Sequence, residues 1–126
     1  MIVLDENIPE NQRQLLRSWR VRVQQIGHDL GHQGLADDAI VSLLRRLGSA
    51  TFFTRDLRFC QTARCHPRYC LVCLAVEQYE AATFIRRMLR HRRLNTRRRR
   101  MGTVVRVTHT GLRVWRRSGD EEVLSW

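Results

Sequence analysis

Ile2-Val3-Leu4-Asp5-Glu6-Asn7-Ile8-Pro9 is the stretch from which the fold can be read. Three consecutive apolar residues ended by an acid have the form of a short strand buried on both faces, as in parallel sheets. Asn7 or Ile8 leads to Pro9, which suits a first helical turn, and Leu15, Leu16 and Trp19 then recur on one helical side. Val21 and Val23, with Ile26 beyond, alternate with Arg22, Gln24 and Gln25 until Gly27, the period of a half-exposed strand. The opening unit is strand, helix, strand.

The same alternation continues outward. Residues 27–34 hold three glycines and no apolar period, which marks a surface connection. Ile40, Leu43, Leu44 and Leu47 then fall on one helical face, with Asp37 or Asp38 at the helix start and Gly48 at its end. Ala50 to Thr54 and Tyr69 to Val76 are β-rich runs and read as inner strands. Ala81, Phe84, Ile85, Met88 and Leu89 share a face, so 78–93 is predicted to be a helix with a basic outer side, leading into Arg97-Arg98-Arg99-Arg100. Thr103 to Val107 and Leu112 to Trp115 flank Thr110-Gly111 and read as a closing β-hairpin. Short strands separated by helices predict an α/β sandwich around a mainly parallel sheet. The 126 residues suffice for one domain, 1–126.

Charge narrows the chemistry. All 23 basic residues are arginine, so a phosphate-loop lysine and a Schiff base are both excluded. Residues 83–126 carry 13 arginines against three acids, whereas 1–82 carry 10 against nine. A basic C-terminal third predicts attraction to a polyanion, nucleic acid first, with salt-dependent binding. The longest apolar run, Tyr69 to Val76, is too short to span a bilayer, which needs about 20 residues, and no membrane partner is expected. The N-terminus lacks a basic flank and meets acid at once, so a cytoplasmic location is expected. Cys60, Cys65, Cys70 and Cys73 are accordingly expected as thiols; only Cys70-x-x-Cys73 has zinc-like spacing, and a two-pair zinc site is not formed. His28 and His32 stand among glycines, where they could rim an acid pocket. No Ser, His and Asp set accompanies a nucleophile elbow, so acyl transfer has no support.

Ligands of an open α/β sheet bind beyond the carboxyl ends of its strands. Asp5 follows the first strand, Asp56 lies two residues past Phe52-Phe53-Thr54, and Asp37 and Asp38 head a helix. Acids gathered from these places would need a cation, and hard oxygen ligands suit Mg²⁺ or Mn²⁺. Metal-assisted phosphodiester hydrolysis is the reaction such a cluster serves, with arginines holding the substrate. Each of these aspartates read singly is as well explained as a helix cap.

These residues carry a resemblance. Leu4-Asp5-Glu6-Asn7-Ile8-Pro9, Gly27-His28-Asp29, Ala36-Asp37-Asp38-Ala39-Ile40 and Phe53-Thr54-Arg55-Asp56-Leu57-Arg58-Phe59 resemble, in order, the PIN-like family of small bacterial proteins related to VapC-type toxin ribonucleases. The resemblance implies a PIN-like α/β/α fold and an Mg²⁺- or Mn²⁺-dependent endoribonuclease, the toxin of a toxin and antitoxin pair. Asp5, Asp38 and Asp56 would be the catalytic acids and Asp5, Asp37, Asp38 and Asp56 the metal ligands, supported by Glu6, Asn7 and Thr54. RNA would lie on Arg55, Arg58, Arg86, Arg90, Arg97, Arg98, Arg99 and Arg100; an antitoxin protein and a second copy of the chain are the implied protein partners. One position departs from the pattern: the family often has a second acid two residues after the position of Asp56, and here it is Arg58. That substitution favours an alternative, a catalytically weak or inactive PIN-like module that binds RNA or an acidic protein through its C-terminal arginines.

Overall fold

A computed structural model describes residues 1–126. Its strands are β1 (Ile2–Leu4), β2 (Val23–Gln25), β3 (Ala50–Thr54), β4 (Tyr69–Leu74), β5 (Thr103–Thr108), β6 (Gly111–Arg116) and β7 (Glu121–Ser125). Its helices are α1 (Glu10–Ser18), α2 (Asp37–Leu47), α3 (Ala81–Arg90) and the single turn α4 (Arg97–Arg100). All seven strands share one mixed sheet in the order β2-β1-β3-β4-β5-β6-β7. The pairings from β2 to β5 are parallel and the last two antiparallel. The protein is therefore α/β, and none of its helices is long and apolar enough to cross a membrane.

β4 lies mid-sheet because every side chain in Tyr-Cys-Leu-Val-Cys-Leu is buried. Alternation along the strand divides them between two layers. Cys70, Val72 and Leu74 pack with Leu16 of α1 and with Phe84, Ile85 and Met88 of α3. Tyr69 and Leu71 pack with Ile40 and Leu44 of α2 and with Phe59. Each fully buried leucine or phenylalanine contributes about 2 kcal/mol. Two glutamines adjust the frame. Gln12 of α1 accepts from the Ala82 backbone N–H at 2.9 Å, supplying the cap that α3 lacks from its own N-terminus. Buried Gln25, at the end of β2, donates to the carbonyls of Asp5 at 3.0 Å and Ile8 at 2.9 Å, latching the turn after β1.

The sequence-predicted elements are revised in four places. The helix expected over 78–93 starts as a 3-10 turn at Gln78–Glu80 and ends at Arg90, where His91 turns extended and accepts from the Arg93 N–H. The arginine run forms α4, capped by the Thr96 hydroxyl accepting from Arg99 N. The closing strands gain a third, β7. Gly111 is required there, since a Cβ would stand 2.2 Å from the Leu124 carbonyl oxygen. Finally, Cys60 and Cys73, expected as thiols, are joined in a disulfide with Cα atoms 6.0 Å apart. The chain turns back after Asp56, where the Phe59 N–H donates to the Asp56 carbonyl, and this lays Cys60 against the C-terminal half of β4. That contact is between segments 13 residues apart and is set by the sheet.

Candidate functional site

Strand order reverses at β1, whose neighbours β2 and β3 lie on opposite sides, and doubly wound sheets open a crevice at the carboxyl ends there. Asp5 and Asp56 stand at that place. The Asp5 backbone N–H donates to Phe53 O at 2.9 Å, extending the ladder and fixing the carboxylate just past both strands.

Thr54 joins the acids. Its hydroxyl donates to Asp5 Oδ2 at 2.6 Å and accepts from Asn7 Nδ2 at 3.2 Å and from Asp56 N at 3.0 Å. Asn7 Oδ1 in turn accepts from the Arg55 N–H at 3.2 Å. The other oxygen of Asp5 accepts from Glu6 N at 2.8 Å. Burial raises the Asp5 carboxyl above its ordinary pKa; the two hydrogen bonds oppose the rise, and the charges of Glu6 and Asp56 add to it. A buried acid beside two others is a group whose ionised form a cation would favour.

Only part of the expected acid set converges. Thr54 links the Asp5 carboxylate to the Asp56 backbone N–H, but no three His, Cys, Asp or Glu side chains form a metal-holding group. Asp37 faces Arg64 at 3.7 Å, and exposed Asp38 has no hydrogen bond or ion pair. Glu6 accepts from the Gly34 N–H at 3.1 Å, so its carboxylate holds the 27–36 loop. Asp56 Oδ1 accepts from Arg58 N at 3.0 Å, and the Arg58 guanidinium lies 3.7 Å away on a side chain 95% exposed. Beside the acids a cleft of about 390 Å³ is lined by Glu6, Asn7, Glu10, Gln25, His28 and Gln33, among others. His28 thus stands on its rim, with Arg13 at 3.1 Å. Gln25 and Arg13, which hold this region, were not among the expected site residues; a polar residue ending a strand carries no signal until its partners are known.

The arginines divide between two ends of the sheet. Arg55 and Arg58 adjoin the acids, with Arg55 Nε buried and unpartnered and Arg55 Nη2 donating to Val76 O at 3.5 Å. Arg97 to Arg100 precede β5, so they lie at the opposite, N-terminal ends of the parallel strands. Arg100 Nε accordingly donates to Thr51 Oγ1 near the start of β3 at 2.9 Å, and its Nη1 to Leu94 O at 3.1 Å. Arg100 is buried, a structural group rather than a surface cation. Arg86 lies over the Trp19 ring at 3.6 Å, and Arg90 lines a cavity of about 570 Å³ with His91 and Trp126. Arg98 and Arg99 face solvent in another cleft, of about 690 Å³, joined by Arg92, Arg93 and Arg116.

Comparison of the chain with family models, with curated proteins and with solved structures returns no match.

Proposed function

We propose that this protein is a PIN-like ribonuclease whose Asp5 and Asp56 hold one divalent cation, Mg²⁺ or Mn²⁺, for hydrolysis of RNA phosphodiester bonds. The observation that carries the reading is the Thr54 hydroxyl at the switch point of the sheet, which holds the Asp5 carboxylate and the Asp56 backbone N–H at once. The donor set fits a cation of this kind: Mg²⁺ is commonly held by one or two carboxylates and completed by water and substrate phosphate. When bound, such an ion supplies an activated water and offsets charge on the leaving oxygen. The protein's own part is to keep both carboxylates in register. Thr54 and Glu6 N–H orient Asp5, while Arg58 N–H orients Asp56. Asp37, which faces Arg64, and exposed Asp38 stand outside this proposed seat. Pairing with an antitoxin and with a second copy of the chain rests on the family resemblance. A cytoplasmic setting would hold Cys60 and Cys73 reduced.

Arg58 favours a second reading, an inactive RNA-binding module, because its guanidinium lies 3.7 Å from the Asp56 carboxylate. One assay separates the two. Incubation of RNA with Mn²⁺ or Mg²⁺ is expected to give cleavage that chelator, Asp5→Asn and Asp56→Asn each abolish. Cleavage surviving chelation would defeat the metal-dependent reading. RNA bound but intact would select the module, and Arg58→Asp, which exchanges a cation for an anion beside Asp56, would then raise Mn²⁺ affinity by about tenfold.

A further inference from the structure

The arginine cleft at the N-terminal ends of the strands is built, not merely charged. Its five lining residues, Arg92, Arg93, Arg98, Arg99 and Arg116, are all arginine, and none of its walls is apolar. The segment between α3 and β5 presents four of them on a fixed frame. Leu94 is fully buried, and its carbonyl accepts from buried Arg100. Thr96 caps α4, and Arg99 Nη1 donates to Asn95 Oδ1 at 3.1 Å and to the Arg92 carbonyl. Arg116 comes from β6, which pairs it with Thr103 at the start of β5. Acid opposes little of this charge. Glu122 pairs with Arg93 at 2.5 Å, while Arg92, Arg98, Arg99 and Arg116 have no carboxylate within ion-pair distance.

We propose that this cleft is a docking site for the phosphate backbone of RNA, separate from the acid crevice and indifferent to base sequence. The proposal rests on the reading of the chain as an RNA-binding protein and holds with or without hydrolysis at Asp5. Several unneutralised guanidinium groups in one concavity match a run of phosphates, each able to take a paired hydrogen bond from the planar fork. The lining argues against two other occupants. Protein interfaces centre on apolar and aromatic anchors, and the cleft has none. Recognition of bases uses aromatic platforms, and no Phe, Tyr or Trp lines it. What remains is backbone recognition, whose energy comes from counterion release.

The test is fluorescence anisotropy with a labelled single-stranded RNA of about 20 nucleotides in chelator, so that no chain is cut while salt is varied. Wild type is compared with Arg92→Ala/Arg98→Ala/Arg116→Ala and with Arg22→Ser. Arg22 is an exposed cation immediately before β2, which lies four strand spacings or about 19 Å across the sheet from β5. The triple variant is expected to weaken binding by more than about tenfold and to flatten the log-log salt slope by about 2, as for three lost phosphate contacts. Arg22→Ser should stay within about twofold of wild type. A triple variant that binds like wild type would overturn the cleft while leaving RNA binding in place elsewhere. Absence of RNA binding by wild type at low salt would overturn the RNA reading itself. Poly-glutamate competing as well as RNA at equal charge would overturn the assignment to phosphate and select an acidic protein. Circular dichroism of each variant guards against loss of fold.

Discussion

The Thr54 hydroxyl makes three hydrogen bonds with one oxygen, so no side chain of that size without a hydroxyl replaces it. Thr54→Val keeps the shape and leaves Asp5 Oδ2 and the Asp56 and Asn7 donors without their partner. A loss of about 2 kcal/mol in denaturant unfolding is expected. The pH dependence has a definite sign. Asp5 binds its proton more tightly folded than unfolded, because burial raises its pKa. Its contribution to stability in metal-free protein is therefore greatest in acid and declines as pH rises from the ordinary carboxylate range through the raised value. The stability difference between wild type and Asp5→Asn, followed in chelator from about pH 4 to 8, should fall across that window. A flat difference would show Asp5 to be an ordinary solvated acid, and a rising one would show it to be ion-paired. In Thr54→Val the decline should run to higher pH, since a hydrogen bond that favours the carboxylate is gone.

At the scale of elements, β4 and the loop before it show what the chain's alternation reveals and what it hides. Cys70 and Cys73 look like a pair in sequence, yet three steps along a strand put them on opposite faces. Cys70 lies in the α1 and α3 layer beside Thr103 at 3.2 Å, where burial pushes its thiol up to about 11. Cys73 faces the other layer and meets Cys60. Closing a loop of this length contributes about 3 kcal/mol on the chain-entropy account, so Cys60→Ala/Cys73→Ala should lose about that much in chemical unfolding. Thiol titration checks the pairing. Unreduced protein in denaturant should show two reactive thiols, Cys65 and Cys70, rising to four on reduction. Native protein should leave Cys70 untouched; four thiols before reduction would remove the disulfide. The strands and helices that carry apolar runs, β1, β3, β4, α1 and α2, are legible because burial and periodicity are local properties. β7 was not: Glu-Glu-Val-Leu-Ser alternates only between half-buried and exposed positions on a sheet edge. Nor was α4, whose four arginines read as a solvated run until Thr96 and the buried Arg100 give it a cap and an anchor. Of the acid site, Asp5 and Asp56 could be found from strand ends, whereas Asn7 and Thr54 came only with the family resemblance. The direction of Asp37 toward Arg64 could not, because it depends on where a distant loop comes to rest.

Over the whole molecule, stability is graded from the middle of the sheet to its margins. β4 is buried between two layers and paired on both sides, whereas β7 has one neighbour and side chains that face water. Native-state hydrogen exchange is expected to show the slowest amides in β3 and β4 and the fastest strand amides in β7 and β2. Equal protection across all seven strands would mean that the sheet opens only as a unit.

The parallel strands set the acid crevice and the arginine cleft at opposite ends of the same sheet, with about 15 Å of extended chain between the levels of Thr51 and Asp56. That separation makes the sheet a ruler. A backbone gripped at the arginine end reaches the acids only if it continues for at least about five stacked steps at 3.4 Å each. Oligonucleotides shorter than this can occupy one end at a time, so the strand length, fixed by the core, would set the smallest RNA that feels both.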